Sequence, residues 1–524
     1  MPDESELNFT AMITRSKNLF NNKLLFAGED FSKTYRDFYE DIYKLSAYML
    51  ENGFKNKKIG IYASNSYYWV LLFFATAMNV GIIAPLDKEL PENELKTSAK
   101  RMGLDYIFCD DSTAQKTRGL EKDIALIHIN EIQNIISEQE LPTSLTIPVR
   151  ECVALFLTSG TTSQSKIVML SEKNLVACAY SSALAFTLHP RDKYYTILPL
   201  HHTLTLMCAV LVPITSGCSF CFSKNIKDMQ KEMMFYKPTA LVVVPRLMEF
   251  VLNNIKTTAK RTHKEKTMAV ALKISKVLMA LHIDLRRKIF KSIHTKFGGK
   301  VRMIACGGAE LDQRIFNELD DLGFNIYQGY GLTESSPILT IRGMFVKSKI
   351  GVGKPLPGVE LKIKDPDSQG VGEITARAAQ VMLGYYQDKA ATEKVLKNGW
   401  LYTGDLGRIH EDGNLEIVGR EKNLIIASNG KNVYPEELET LINYSDLVKE
   451  SIVSGVKKGA NTQIVATIVP EEKVKYDSTL ENDIAALIKQ INTTLPDYKH
   501  INKYVIQLDE FKKTTTLKIK RGAQ

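Results

Sequence analysis

Cysteine is scarce. Seven residues (Cys109, Cys152, Cys178, Cys208, Cys218, Cys221 and Cys306) are scattered through a chain of 524. An odd number in mostly apolar surroundings makes no disulfide framework and favours a reducing compartment. Cys218 and Cys221 form a lone CxxC with no second pair. Its flanks read as core strand, so plain packing is its expected role. No secretory leader is expected, because the first six residues are acidic and no apolar run follows. Long uncharged runs are few. Residues 67–85 are broken by Asn79 and Gly81, and residues 204–222 by Pro213 and Gly217. Both lie near the lower limit for a membrane span, and both are expected in a soluble core. His201 and His202 are adjacent, a spacing that rarely converges on one ion, and no helical His-x-x-x-His exists. Nucleic-acid motifs and aromatics interleaved with basic residues are missing as well, which leaves no basis for RNA or DNA as a partner.

What is present is ordinary in bulk and uneven in charge. Hydrophobic residues make up 44% and charged residues 24%, as in soluble globular proteins. The length allows two or more domains. Net charge is +9, yet residues 254–302 alone hold fourteen Lys and Arg against Glu265 and Asp284, so the rest of the chain is slightly acidic. Such local basicity is ordinarily a solvated helix face. Its functional reading is a patch for an anionic surface, a membrane or a phosphorylated cofactor.

Short apolar runs alternate with helical periodicity along the first half. A helix is predicted over 31–54, with Leu45, Met49 and Leu50 on one face, then a strand at 58–63 and a helix at 65–80. A strand at 81–86, a helix from about residue 91 and a strand at 106–109 follow. Residues 125–148 read as a looser connection. Further strands are predicted at 194–198, 240–244 and 302–305, the second leading into a helix. The alternation predicts an α/β fold built on doubly wound sheets.

Five polar signatures interrupt this pattern. Thr158-Ser159-Gly160-Thr161-Thr162 follows an apolar run, and Lys166 stands four residues further on. Hydroxyls, a glycine and a lysine after a strand suit a phosphate cradle, although such clusters are more often turns. It is not the common P-loop, which has a second glycine before its lysine and Ser or Thr after it. The second signature is Tyr327-Gln328-Gly329-Tyr330-Gly331-Leu332-Thr333-Glu334, with two glycines for close approach to a planar ligand and a carboxylate suited to a hard cation. The third contains Thr403-Gly404-Asp405, read as an aspartate on a tight turn that can hold the two hydroxyls of a ribose. Glu411-Asp412-Gly413-Asn414 then makes a hairpin turn. The fourth runs from Gly419-Arg420-Glu421-Lys422 to Ser428-Asn429-Gly430-Lys431. The last is the basic stretch 512–521, which alone would be a frayed tail.

In this order and spacing the five motifs resemble the adenylate-forming superfamily: acyl-CoA synthetases, carrier-protein adenylation domains and firefly-type luciferases. The resemblance runs from about Phe31 to Arg521. It implies a large N-terminal domain of stacked doubly wound sheets (1–420) and a small mobile C-terminal α/β lid (421–524). By resemblance Thr158, Ser159, Gly160, Thr161, Thr162 and Lys166 hold the β- and γ-phosphates of ATP, with Thr158 also near the metal. Gly308 and Ala309 line the adenine, and Tyr330 stacks on it within Gln328, Gly329 and Gly331. Thr333 touches the α-phosphate, Glu334 holds Mg²⁺, and Asp405 and Arg420 bind the ribose. His202 lies at the entrance to the acyl pocket, and Lys422 is the hinge. The face around Gly430 meets the thiol arm, and Lys518 is the catalytic lysine. Ser163, Ser165, Ile167, Lys512 and Leu517 depart from the family pattern.

The chemistry explains the residue types. A carboxylate approaching the α-phosphate of ATP brings two anions together, so fixed positive charge is needed where negative charge grows. The resemblance implies activation of a carboxylic acid to an acyl-adenylate, then transfer to a thiol. Relatives acting on amino acids carry an aspartate just after the His202 position, to pair with the ammonium. Here Thr203, Leu204 and Thr205 follow, which disfavours such substrates. The long helical stretch 246–302 and Gly384-Tyr385-Tyr386 resemble the long-chain branch, so a medium- or long-chain fatty acid is expected. The expected acceptor is CoA, with the phosphopantetheine of an acyl carrier protein as the alternative. A noncatalytic nucleotide-binding protein is the reading from another class, opposed by the retained Glu334, Asp405 and Lys518. The expected location is cytoplasmic, with residues 254–302 a candidate contact with the inner membrane face.

Overall fold

The computed structural model describes residues 2–120, 123–158, 165–343, 351–458, 461–471, 476–513, 519 and 521. Contacts gather them into two compact units. The first holds the described residues up to 360 together with 377–399; the second holds 361–376 and those from 400 onward.

The first unit is built on two mainly parallel sheets. In one, the strand order is Gly384–Tyr385, Ile167–Leu170, Ala154–Leu157, Ile82–Pro85, Lys58–Tyr62, Tyr106–Cys109 and Ala125–His128. The five strands from Ala154–Leu157 onward are parallel, and the first three form antiparallel pairs. In the other, the order is Lys354–Pro355, Thr340–Arg342, Ile326–Tyr330, Met303–Cys306, Ala240–Val243, Lys193–Thr196, Ser219–Phe222, Leu24–Ala27 and Ser32–Thr34. Strands such as Ala240–Val243 and Met303–Cys306 are buried at every residue. That is why they read as unbroken apolar runs without alternation: parallel sheets are covered on both faces.

Both uncharged stretches are buried, as the sequence predicts. Helix Tyr67–Ala75 continues into a π-helical turn at Thr76–Val80. A helix apolar on every side belongs in a core. Residues 203–222 fold as Thr203–Leu206, a π-turn at Met207–Leu211, Val212–Thr215 and the strand Ser219–Phe222. Cys218 and Cys221 are buried, and each thiol donates to a backbone carbonyl, that of His189 and that of Tyr194. Among the described residues no helix is long and apolar enough to cross a membrane.

The structure departs from the expected elements in three places. Residues 125–148 are no mere connection, because Ala125–His128 is an edge strand and Glu131–Glu138 a helix. The helix expected from residue 31 begins at Tyr35, where Thr34 and Asp37 form a capping box, and the strand Ser32–Thr34 precedes it. The helix Phe9–Phe20, capped by Asn8, has no counterpart among the expected elements.

In the second unit, Gly372–Arg377, Trp400–Ile409 and Leu415–Arg420 run antiparallel. Further on, Val448–Lys458, Asn461–Pro470 and Lys503–Ile506 make a three-stranded sheet. Leu438 and Ile442 of helix Pro435–Asn443 and Ile484 and Ile488 of helix Ser478–Thr493 share a core with Val453, Ala466 and Ile468. The architecture is therefore α/β, with a large N-terminal part of sheets and helices and a small C-terminal α/β part.

Candidate active site

Residues 158–166 connect two paired strands in the sequence. Strands Ala154–Leu157 and Ile167–Leu170 are antiparallel partners, and helix Glu172–Ala185 starts only after the second strand. Thr158 and Lys166, beside the ends of these strands, are thus fixed by a sheet. Thr158 N–H donates to the Lys166 carbonyl at 2.9 Å, and Lys166 N–H donates to Thr158 Oγ1 at 3.1 Å. Arg101 holds the Ser165 carbonyl at 2.8 Å. Ser159, Gly160, Thr161 and Thr162 lie outside the described residues, as do Ser163 and Lys518.

The strand pairing brings Lys166 to a tyrosine the sequence reading used only as a branch marker. Lys166 Nζ lies 4.4 Å from the centre of the Tyr385 ring. The Tyr385 hydroxyl donates to Glu334 Oε1 at 2.8 Å. Tyr385 reaches this position because Gly384–Tyr385 pairs with Ile167–Leu170 as an edge strand, and because Tyr385 N–H donates to Thr392 Oγ1 at 2.9 Å. Met382 N–H in turn bonds the Glu334 carbonyl at 2.9 Å. Burial, then the neighbouring Glu334 charge, push the Tyr385 phenol well above its ordinary value, so it is a donor.

Parallel pairing sets a second group. Strands Lys193–Thr196, Ala240–Val243, Met303–Cys306 and Ile326–Tyr330 are parallel neighbours, so the segments leaving their carboxyl ends share one sheet edge. In open α/β sheets ligands bind at that edge. Gly308 and Ala309 leave one strand there beside Gln328, Gly329 and Tyr330 of the next. Gly308 has φ +86°, a region that favours glycine. A Cβ built on it would meet Leu204 at 3.7 Å and Val244 at 3.8 Å, so three of these segments converge. Gln328, Gly329 and Tyr330 belong to the strand itself; the short 3₁₀ turn Thr333–Ser335 follows and carries Thr333 and Glu334. Gly331 answers to the chain's own backbone: a Cβ there would lie 2.0 Å from the Pro337 carbonyl oxygen.

His202 precedes helix Thr203–Leu206, and its ring lies 4.0 Å from that of His201. Asn65 clamps this turn, donating to the Leu198 carbonyl at 2.8 Å and accepting from Leu200 N–H at 2.9 Å. His201 Nε2 is buried 3.7 Å from Asp87 Oδ2. Burial, with His202 and Lys88 nearby, holds the His201 imidazole well below its usual value, so it is neutral. Asn65 and Asp87 escape sequence reading because their partners lie far along the chain. Behind the same strands sits a narrow apolar cavity of about 20 Å³, lined in part by Met229, Met233, Val243, Met248, Val251 and Ile304.

In the second unit Asp405 is not on a turn, as expected, but within the strand Trp400–Ile409. It faces Arg420 across the sheet, and Arg420 Nε lies 3.0 Å from Asp405 Oδ1. Preceding Gly404 has φ +68°, and Thr403 donates to the Ile374 carbonyl at 2.7 Å. The hairpin turn is where the sequence puts it, with His410 N–H on the Asn414 carbonyl at 2.9 Å. Lys422 is exposed on the 3₁₀ turn Glu421–Asn423; partial desolvation of its amine first, then the Arg420 and Arg521 charges, lower its proton affinity. Gly430 sits on a turn at φ +78° with open space around its Cα.

The chain matches the AMP-binding enzyme family over residues 13–386 and the AMP-binding enzyme C-terminal domain over residues 422–523. It is 29% identical to a long-chain-fatty-acid–CoA ligase of Mycobacterium bovis, over 88% of this chain and 85% of that one. It is 32% identical to a long-chain-fatty-acid–CoA ligase of Yersinia pestis, over 70% of this chain and 59% of that one. The solved structure of o-succinylbenzoate–CoA synthetase from Bacillus subtilis, in complex with its acyl-adenylate intermediate, matches with a TM-score of 0.77 at 21% identity, over 98% of this chain and 97% of that one. At that identity the likeness is one of fold. The family match over most of its length shows that this chain belongs to the AMP-binding enzymes, the adenylate-forming superfamily, and is an AMP-forming acid–thiol ligase.

Proposed function

We propose that the protein activates a medium- or long-chain fatty acid with ATP and passes the acyl group to the thiol of CoA. The observation that carries the first step is the convergence of Lys166 and Glu334 on Tyr385, which sets a cation and a carboxylate on either side of one side chain. The acid's oxygen attacks the α-phosphorus, and the bond to pyrophosphate breaks. The thiol sulfur then attacks the acyl carbonyl, AMP leaves, and the thiol proton goes to solvent. In this reading Thr158, Ser159, Gly160, Thr161, Thr162 and Lys166 grip the leaving pyrophosphate. Gly308, Ala309, Gln328, Gly329, Tyr330 and Gly331 frame the adenine, with Thr333 at the α-phosphate. Asp405, oriented by Arg420, holds the ribose hydroxyls. His202 stands at the acyl entrance.

Glu334 fits a hard divalent cation. Tyr385 orients its Oε1, and among the described residues no group of three or more His, Cys, Asp or Glu stands together. Such a cation takes most of its ligands from phosphate and water. Mg²⁺ held by Glu334 and Thr158 would neutralise the phosphates. Lys518 supplies the fixed charge on the reacting carboxylate, a contribution on the order of several kcal/mol.

The apolar lining of the cavity behind the strands and the names of the fatty-acid–CoA ligase relatives support an apolar tail. We place the hinge at Lys422, between a domain of residues 1–420 and a lid of 421–524 whose face around Gly430 meets the thiol. The start of the second family match at residue 422 supports this. Half-reactions measured on two variants test these roles. Lys518→Ala is expected to lose ATP–pyrophosphate exchange while still binding ATP, and Lys422→Pro to keep exchange and lose thioester formation. Exchange persisting in the first, or equal loss of both steps in the second, overturns the assignments.

A further inference from the structure

The fourteen basic residues of 254–302 divide into two sets. Arg286 is clamped by Asp284 and Asp320, Arg302 by Asp192, Lys256 by Glu318 and Lys276 by Asp321, while Arg287 donates to backbone carbonyls. The other nine, Lys266 and Lys273 among them, are exposed, and no ion pair among the described residues engages them.

Exposed apolar side chains gather in the same segment. On helix Glu265–Ala280 and its first following residue, Val270, Ile274, Val277 and Leu281 are 56%, 51%, 61% and 63% exposed. Their spacing of four, three and four puts them on one line. At 3.6 residues per turn, Lys266 and Lys273 fall within about 70° of that line, on one side of it. The opposite face already serves the core through Met268, Ala271 and Leu272. Packing therefore accounts for one apolar face of this helix and leaves the second without a partner among the described residues.

We propose that this second face docks on an anionic lipid bilayer, the apolar line entering the headgroup–acyl boundary and the lysines meeting the lipid phosphates. A helix with an apolar face flanked by lysines lies in the plane of such an interface. A second copy of the chain would set like charges against each other. A nucleic acid would find no aromatic ring between residues 265 and 281 on which to stack a base.

The test is flotation of the full-length protein with vesicles of phosphatidylcholine alone and of phosphatidylcholine with phosphatidylglycerol, at low and high salt. No nucleotide or acid is added, so the outcome is independent of the ligase reading. The protein is expected to float with the anionic vesicles at low salt, to be released by high salt, and to stay behind with phosphatidylcholine alone. Ile274→Glu with Val277→Glu, and Lys266→Glu with Lys273→Glu, are each expected to weaken partition tenfold or more while the melting curve is unchanged. No flotation with anionic vesicles, flotation undiminished in the apolar pair, or a vesicle-free dimer that the apolar pair dissolves would each overturn the proposal.

Discussion

The Tyr385 hydroxyl donates to Glu334 Oε1 at 2.8 Å while Lys166 Nζ sits 4.4 Å from the same ring. One side chain thus spans the two charges assigned to the phosphates. Tyr385→Phe keeps the ring beside Lys166 and removes only the hydrogen bond to the carboxylate. A bond to a charged group is worth about 1.5–3 kcal/mol, so MgATP affinity and kcat/KM are expected to fall roughly 10- to 100-fold. The melting temperature should hold. Calorimetric titration with MgATP beside steady-state kinetics checks this; wild-type affinity in the variant contradicts it.

Asp192 is the electrostatic anchor of the larger sheet. It is 3% exposed and accepts from Arg302 Nε at 2.8 Å, Thr239 Oγ1 at 2.7 Å and His189 N–H at 2.7 Å. Burial pushes its carboxyl up, but the bonds from Arg302, Thr239 and His189 together outweigh burial and leave it below the ordinary value. A carboxylate depressed in the folded state contributes stability above the unfolded value of about 3.9, and that stability is lost as pH falls through the lower folded value. Asp192→Asn is expected to cost roughly 3 kcal/mol at neutral pH, the low end for breaking a buried pair, since Arg302 is 33% exposed. Its loss of stability on acidification below about pH 4 should be shallower than in the wild type. Denaturant titrations across pH measure both.

The apolar cavity behind strands Ala240–Val243 and Met303–Cys306 has room for little more than one water as it stands. Its lining includes Met229, Met233 and Met248, whose flexible side chains can make way for a chain. Met248→Trp is expected to shift preference toward shorter acids, at about 0.8 kcal/mol for each methylene no longer buried. The ratio of kcat/KM values across a chain-length series reads this, and an unchanged ratio contradicts it.

Much of the fold was legible because parallel strands buried on both faces leave unbroken apolar runs. Tyr106–Cys109 was legible to the residue, and Ala240–Val243 to within one. The edge strand Ala125–His128 was not, because its residues are exposed or half-buried and carry no such run. Asp405 was set on a turn, since Thr403-Gly404 reads locally as one; only pairing with Arg420 makes it a strand. Tyr385 and Asn65 were invisible as site residues for a related reason. Tyr385 acts on Glu334, 51 residues away, and Asn65 on Leu200, 135 residues away. No local pattern encodes such pairs.

The central claim is that this chain joins an apolar carboxylic acid to a thiol through its adenylate. The most direct measurement is ATP–pyrophosphate exchange across saturated acids of increasing length, followed by AMP release on adding CoA or a holo-acyl carrier protein. The account expects exchange that depends on the acid and is strongest with medium or long chains, and AMP release that depends on CoA. Exchange independent of any fatty acid, or AMP released only with the carrier protein, would contradict it.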